Sequence, residues 1–279
     1  MITSTSQRLT GVQLIRSMLL FFGAFLFAFS LNSYIIHEAG HAFGGVLFGC
    51  QFERLYLNPF GTGGWLNQCP DTMTPAGKFF QGMGGEIFGL PLSIAVTLLL
   101  WRKRSPVLLP LLMSAALICI GNLLSVLDSV SSYPYFVFDY GLAIQAGIPS
   151  FILLTIAITS LVFGIILMDL LFPLAGIGIK EPFWKVLILS LATWPLFMAI
   201  RAIYQSMNGI NIAGPMTVFI FGITIAILTA LCFKPVCKLV DRITHTEPVL
   251  PSASAVWLAF GLGVSLTIVL VMSNPIWFG

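Results

Sequence analysis

From residue 18 to residue 48 the chain is almost unbrokenly apolar, yet this run carries His37-Glu38-Ala39-Gly40-His41, with two of the chain's three histidines. An apolar stretch of this length reads as a membrane-crossing helix. Ionisable groups inside such a helix cost roughly 3 kcal/mol each at its centre unless they have partners or a task. In a helix, residues four apart stand one above the other, so His37 and His41 can each offer an imidazole nitrogen to one metal ion. Glu38, about 100° further round, is left to act on a water at that metal. This is the geometry of a zinc hydrolase. A histidine pair held only by packing is the plainer alternative, and the cost of three ionisable groups in an apolar span weighs against it.

Composition points the same way. Only 8% of the 279 residues are charged and 58% are hydrophobic, against about 25% charged in globular proteins, so an integral, multi-pass membrane protein is expected. Apolar runs over 16–49, 77–100, 106–127, 149–174, 183–203, 212–233 and 256–272 predict an all-α polytopic fold of six to seven transmembrane helices, with no room for a soluble domain. The first run is longer than a ~30 Å hydrocarbon core requires, which implies tilt or protrusion. It continues past any cleavage point, so no cleaved leader is expected. A net charge of +3 is too small to suggest a nucleic-acid partner.

The connection 51–76 stands apart. Phe52-Glu53-Arg54-Leu55-Tyr56-Leu57 partly alternates, Asn58-Pro59 and Gly61-Thr62-Gly63-Gly64 are turn signals, and Trp65-Leu66-Asn67-Gln68 can return. A small β-hairpin is predicted, whose edge could hold an extended peptide. The five cysteines include no CxxC pair, which argues against a thiolate zinc site. Cys50 and Cys69 flank the hairpin and can pair if it faces an oxidising compartment.

Lys and Arg report orientation. With seven spans, Arg8, Arg16, Arg102, Lys103, Arg104, Lys180, Lys185, Lys234, Lys238 and Arg242 fall on one side, and Arg54, Lys78 and Arg201 on the other. Ten against three places the N-terminus in the cytoplasm. His37, His41, Glu86, Asn122, Asp128 and Asp139 then share the exoplasmic half of the membrane. Catalytic zinc usually has three protein ligands and a water, so the third ligand is sought among Asp139, Asp128 and Glu86 at that depth. Asp169, late in the fourth span, is excluded, and His245 reads as a solvated loop residue.

His37-Glu38-Ala39-Gly40-His41 late in a first span, the glycine-rich Gly82-Met83-Gly84-Gly85-Glu86-Ile87-Phe88-Gly89 at the entry to the second, and an Asn followed by an Asp after the third together resemble the site-2 protease family of intramembrane zinc metalloproteases. The likeness covers roughly residues 18–149. It implies a three-helix core with His37 and His41 as zinc ligands, Glu38 as the base, Asn122 as a polar group holding substrate or oxyanion, and a transmembrane or membrane-adjacent segment as substrate. The family pattern Asn-x-x-Pro-x-x-x-x-Asp-Gly is loosened here: Ser125 stands at the proline position, and Asp128 comes two residues early. Asp139, in Phe138-Asp139-Tyr140-Gly141, looks like the aspartate of shorter, divergent members. It is the expected third ligand, with Asp128 the alternative and Glu86 behind both.

The expected organisation is a metalloprotease core over 1–149 and additional helices over 150–279. The expected activity is zinc-dependent endopeptidase action on membrane proteins within the bilayer, with Gly85 on the glycine-rich helix and Asn122 as substrate contacts. Two rivals remain: an inactive zinc-binding protein that retains partner helices, and a metal or ion transporter. The first draws on the loosened Asn/Asp motif. The second is opposed by acidic groups gathered on one side and by the lack of an inverted repeat. Substrate identity and oligomeric state are not legible in the residues.

Overall fold

The fold is described from a computed structural model, over residues 9–57, 64–101, 103, 105–132, 140–207, 213–240, 248–272 and 276–278. Asp139 and His245 lie outside the described residues. The chain is mostly helical. Helix α1 (Gly11–Phe29) runs through a π-helical turn (Ser30–Ile36) into α2 (His37–Val46). Strands β1 (Gln51–Leu57) and β2 (Gly64–Gln68) follow, then α3 (Pro75–Gly82), α4 (Gly84–Trp101), α5 (Leu109–Ser132), α6 (Tyr140–Gln145) and α7 (Ser150–Leu171). The chain continues with α8 (Phe183–Leu191), α9 (Trp194–Met207), α10 (Ala213–Val240), α11 (Ala253–Met272) and β3 (Ile276–Phe278).

Among the described residues, five helical stretches are long and apolar enough to cross a membrane: Gly11–Val46, Pro106–Ser131, Ser150–Ala175, Phe183–Ile200 and Thr217–Leu239. The count becomes six if α3 and α4, bent by 52°, form one span. These features describe a multi-pass membrane protein. Two of the seven expected spans are not among these five. The second is not one straight helix, because Met83 leaves helical geometry (φ −102°, ψ 6°) between Gly82 and Gly84. The last is short, its described apolar stretch running only from Ala253 to Val269.

The chain divides into two compact units, which interleave in sequence. One comprises Met1–Phe27, Leu100–Met113 and Ile165–Val264. Its core is aromatic: Phe21 stacks on Phe172 at 4.9 Å, Phe172 meets Phe233 edge-on, and Phe25 packs on Trp194 and Phe197. The helices cross closely at Gly23 and Gly263, where a Cβ on Gly23 would lie 2.3 Å from the Phe260 Cα. Lipid offers no hydrophobic drive to helix association, so such backbone contact supplies packing that side chains would prevent. A buried ion pair, Lys185 to Glu181 at 2.7 Å, holds Leu9 by both backbone groups: Glu181 accepts its N–H and Lys185 donates to its carbonyl, each at 2.7 Å.

The other unit comprises Ala28–Leu99, Ser114–Gly164 and Ser265–Gly279 and carries the HExxH motif. The predicted hairpin is present, antiparallel, with Gln51 opposite Gln68 and Leu55 opposite Trp65, and an irregularity between Phe52 and Arg54. Strand β3 pairs antiparallel with the other edge of β1, giving the order β2-β1-β3. Cys50 and Cys69 form a disulfide, with Cα atoms 4.1 Å apart, across the open end of the hairpin. Gly49, in the left-handed region at φ 90°, turns the chain from α2 into β1. Thr74 caps α3, its hydroxyl accepting the Gly77 N–H at 3.1 Å with Pro75 at the first helical position. The apolar core gathers Met83, Val126, Tyr140, Ala143, Leu153 and Ala157.

Candidate metal centre

Within this second unit, α2 and the start of α4 cross with their backbones touching. A Cβ on Gly40 would lie 2.5 Å from the Gly84 carbonyl oxygen, and one on Gly84 would lie 2.3 Å from that of Gly40. One turn along, Gly44 abuts the Phe80 carbonyl in the same way. The small-residue flank of the first helix and the glycines of the second thus meet, and the contact brings Gln81, Gly85 and Glu86 alongside the two motif histidines.

The rings of His37 and His41 stand nearly perpendicular, 4.4 Å between centroids, with their Nε2 atoms 2.9 Å apart. Each is held on its opposite edge. The Nδ1–H of His41 donates to the Gln81 carbonyl at 2.7 Å. His37 Nδ1 lies 3.6 Å from Oε1 of Glu86. A backbone carbonyl only accepts, so His41 Nδ1 is the donor in that bond. The two Nε2 atoms face each other at 2.9 Å. On one zinc, at about 2.05 Å per bond and tetrahedral angles, two nitrogens lie roughly 3.3 Å apart; 2.9 Å is a few tenths short of that. Imidazole pairs suit zinc better than calcium or magnesium, which take oxygen.

His41 is fully buried and His37 half-buried. Trp65 of β2 stacks on the His41 ring, centroids 4.3 Å apart and planes within 15°. The hairpin is anchored there by Asn67, which donates to the Ala42 carbonyl at 3.2 Å and fills the space over Gly45. Glu38 is buried on the same turn as the histidines. The π-helical turn ends directly before His37, whose N–H bonds the Asn32 carbonyl five residues back. Such turns recur at functional sites.

Among the described residues, the carboxylate grouped with the two histidines is Glu86: the three residues offer ligand atoms within 4.8 Å of one another and could hold a metal. Asp128 is exposed on α5 and is not part of that group. Asn122 is buried, and its Oδ1 accepts a hydrogen bond from the Tyr140 hydroxyl, itself fully buried. Gly85, expected at the substrate, lies against His37. A Cβ there would be 2.3 Å from Nδ1 and 2.7 Å from both Cγ and Cε1. Those near-equal distances put the missing methyl over the flat face of the ring.

Sequence reasoning missed Gln81, which acts through its backbone and so leaves no signature. It missed Trp65 as a partner of His41, although the hairpin that carries it was legible. Compared with known protein families, with curated proteins and with solved structures, the chain matches none of them.

Proposed function

We propose that the protein is a zinc-dependent peptidase of the membrane, cutting peptide bonds in or beside transmembrane segments of other membrane proteins. The observation that carries this reading is the convergence of two imidazole Nε2 atoms, 2.9 Å apart, next to the buried carboxylate of the HExxH motif. His37 and His41 would hold the ion, with Asp139 the third ligand that the site-2 protease resemblance implies. When bound, zinc supplies a Lewis acid that acidifies water and polarises a carbonyl.

The chain's own groups do the rest. Glu38 takes the proton of the attacking water and delivers it to the leaving amine nitrogen. Asn122, whose Oδ1 is engaged by Tyr140, is the residue that the resemblance assigns to the substrate carbonyl oxygen. The Trp65 ring covers one face of His41 and keeps bulk water from it. Because a peptide bond in a lipid-embedded helix is shielded by its own hydrogen bonds, the substrate must unwind locally before attack. A disulfide in the hairpin supports an exoplasmic site, in line with the Lys and Arg distribution.

The test is zinc per chain in detergent-purified protein, together with cleavage of a membrane-anchored peptide in vesicles. About one zinc is expected in the wild type and in Glu38→Gln, and none in His37→Ala. Cleavage should fall by about 10²–10⁴ in Glu38→Gln. Folded wild type without zinc would overturn the reading. Zinc without cleavage of any membrane peptide would favour the inactive zinc-binding protein, and proton-coupled metal uptake would favour the transporter.

A further inference from the structure

We propose that Glu86 is a positioning residue for the metal centre: from the first turn of α4 its carboxylate accepts the His37 Nδ1–H and so keeps the His37 Nε2 lone pair turned toward the ion. This rests on the metal reading above and adds a role that the HExxH motif does not contain.

Three observations carry it. First, Glu86 Oε1 stands 3.6 Å from Nδ1, on the opposite edge of the ring from the Nε2 atom that meets His41 at 2.9 Å. A group on the Nδ1 edge is placed to orient the ring. Second, His41 has an acceptor on the corresponding edge, its Nδ1–H donating to the Gln81 carbonyl at 2.7 Å. Both histidines are thus gripped from behind by acceptors supplied from either side of the bend at Met83. Third, the space over the His37 ring face is closed by Gly85, where any side chain would collide with Nδ1. Glu86 thus faces the Nδ1 edge of the ring and Gly85 lies against one of its faces. A ligating histidine commonly gives its other N–H to a carboxylate or carbonyl, which fixes the tautomer and raises the basicity of the ligating nitrogen. Glu86 is itself buried, and a negative charge is favoured at a helix N-terminus, so the start of α4 suits a carboxylate.

The experiment compares wild type, Glu86→Gln and Glu86→Leu for zinc content, for zinc affinity by competition with a chromophoric chelator, and for the visible spectrum of the Co²⁺-loaded protein. Glutamine keeps an oxygen that accepts the Nδ1–H, whereas leucine removes it. The expected result is one metal per chain in all three, affinity within a few-fold of wild type for Glu86→Gln, and affinity about 10- to 100-fold lower for Glu86→Leu. The Co²⁺ band positions should be unchanged in Glu86→Gln, because the ligands are the same. If Glu86→Gln loses the metal or shifts the Co²⁺ bands, Glu86 is a ligand and the proposal falls. It falls equally if Glu86→Leu binds zinc as tightly as the wild type. Folded wild type that takes up no zinc would remove the metal reading and this role with it, a result distinct from either of the others. Should Glu86→Leu fail to fold, the near-isosteric Glu86→Gln alone separates ligand from positioning residue.

Discussion

Gly85→Ala isolates the tightest contact in the candidate site. The added methyl would sit 2.3 Å from His37 Nδ1, more than 1 Å inside the roughly 3.5 Å at which heavy atoms touch. The backbone of α4 is pinned by the Gly40–Gly84 contact, whereas the His37 ring is the end of a rotatable, half-buried side chain. The ring is therefore what moves. For stability, overpacking costs about 1–3 kcal/mol, and replacing a helical glycine by alanine returns up to about 1 kcal/mol, so a net loss of roughly 0–2 kcal/mol is expected where that return is full. For the metal centre, a displacement of about 1 Å carries a penalty on the order of 100-fold in rate, with a parallel loss of zinc affinity. The control is Gly89→Ala, one turn further along α4, where the methyl meets only the side-chain ends of Ile36 and Ile118 at 3.3 and 3.5 Å. It should keep both stability and zinc. The assay is thermal unfolding in detergent beside chelator competition on the same samples. Gly85→Ala with wild-type zinc affinity would refute the packing argument.

Trp65→Ala removes the ring stacked on His41; with about 0.5–1.5 kcal/mol in such a contact, zinc should dissociate a few-fold to tenfold faster, read by stopped-flow chelation. Tyr140→Phe takes the donor from Asn122 Oδ1. A buried acceptor left unmatched costs about 1–3 kcal/mol, so unfolding should come earlier while zinc content stays at wild-type level, and an unchanged melting temperature would count against the bond. Cys50→Ser with Cys69→Ser opens a loop closed over 19 residues, which the chain-entropy model values at about 3 kcal/mol. Amide exchange in 51–57 and 64–68 should quicken, and unaltered exchange would show that the hairpin holds without its bridge.

The HExxH helix and its membrane setting were legible because both depend on side-chain type and period alone. The hairpin was legible for the same reason, through alternation and turn residues between 51 and 68. What escaped depends on backbone groups or on distant strands. The π-helical turn at Ser30–Ile36 has no compositional mark. Strand β3 is only three residues long and joins β1 from the far end of the chain. Glu86 was visible as a residue at the right depth but ranked behind Asp139 and Asp128, because depth along a span says nothing about which groups share a helix face. Lys185 was counted only for topology, although Glu181 stands four residues before it in sequence, and their pairing holds Leu9.

The bend between α3 and α4 explains why one short glycine-rich stretch can orient both histidines. In an unbroken helix, residues 81 and 86 would point about 140° apart, and the Gln81 carbonyl would be taken by the N–H four residues on. The 52° break at Met83 changes both conditions. It leaves Gln81 in the last turn of α3, where its carbonyl is met by the Met83 N–H and by His41 Nδ1–H at 2.7 Å. It also places Glu86 in the first turn of α4, where the helix dipole favours a carboxylate and the His37 Nδ1 edge lies within 3.6 Å. The glycines at 84 and 85 let this broken segment approach α2 closely enough for both contacts to form. A side chain at either position would push the acceptors away from the rings, so the Gly-Met-Gly-Gly-Glu run works as a single device: a break, a close approach and an acidic end, set against the HExxH turn.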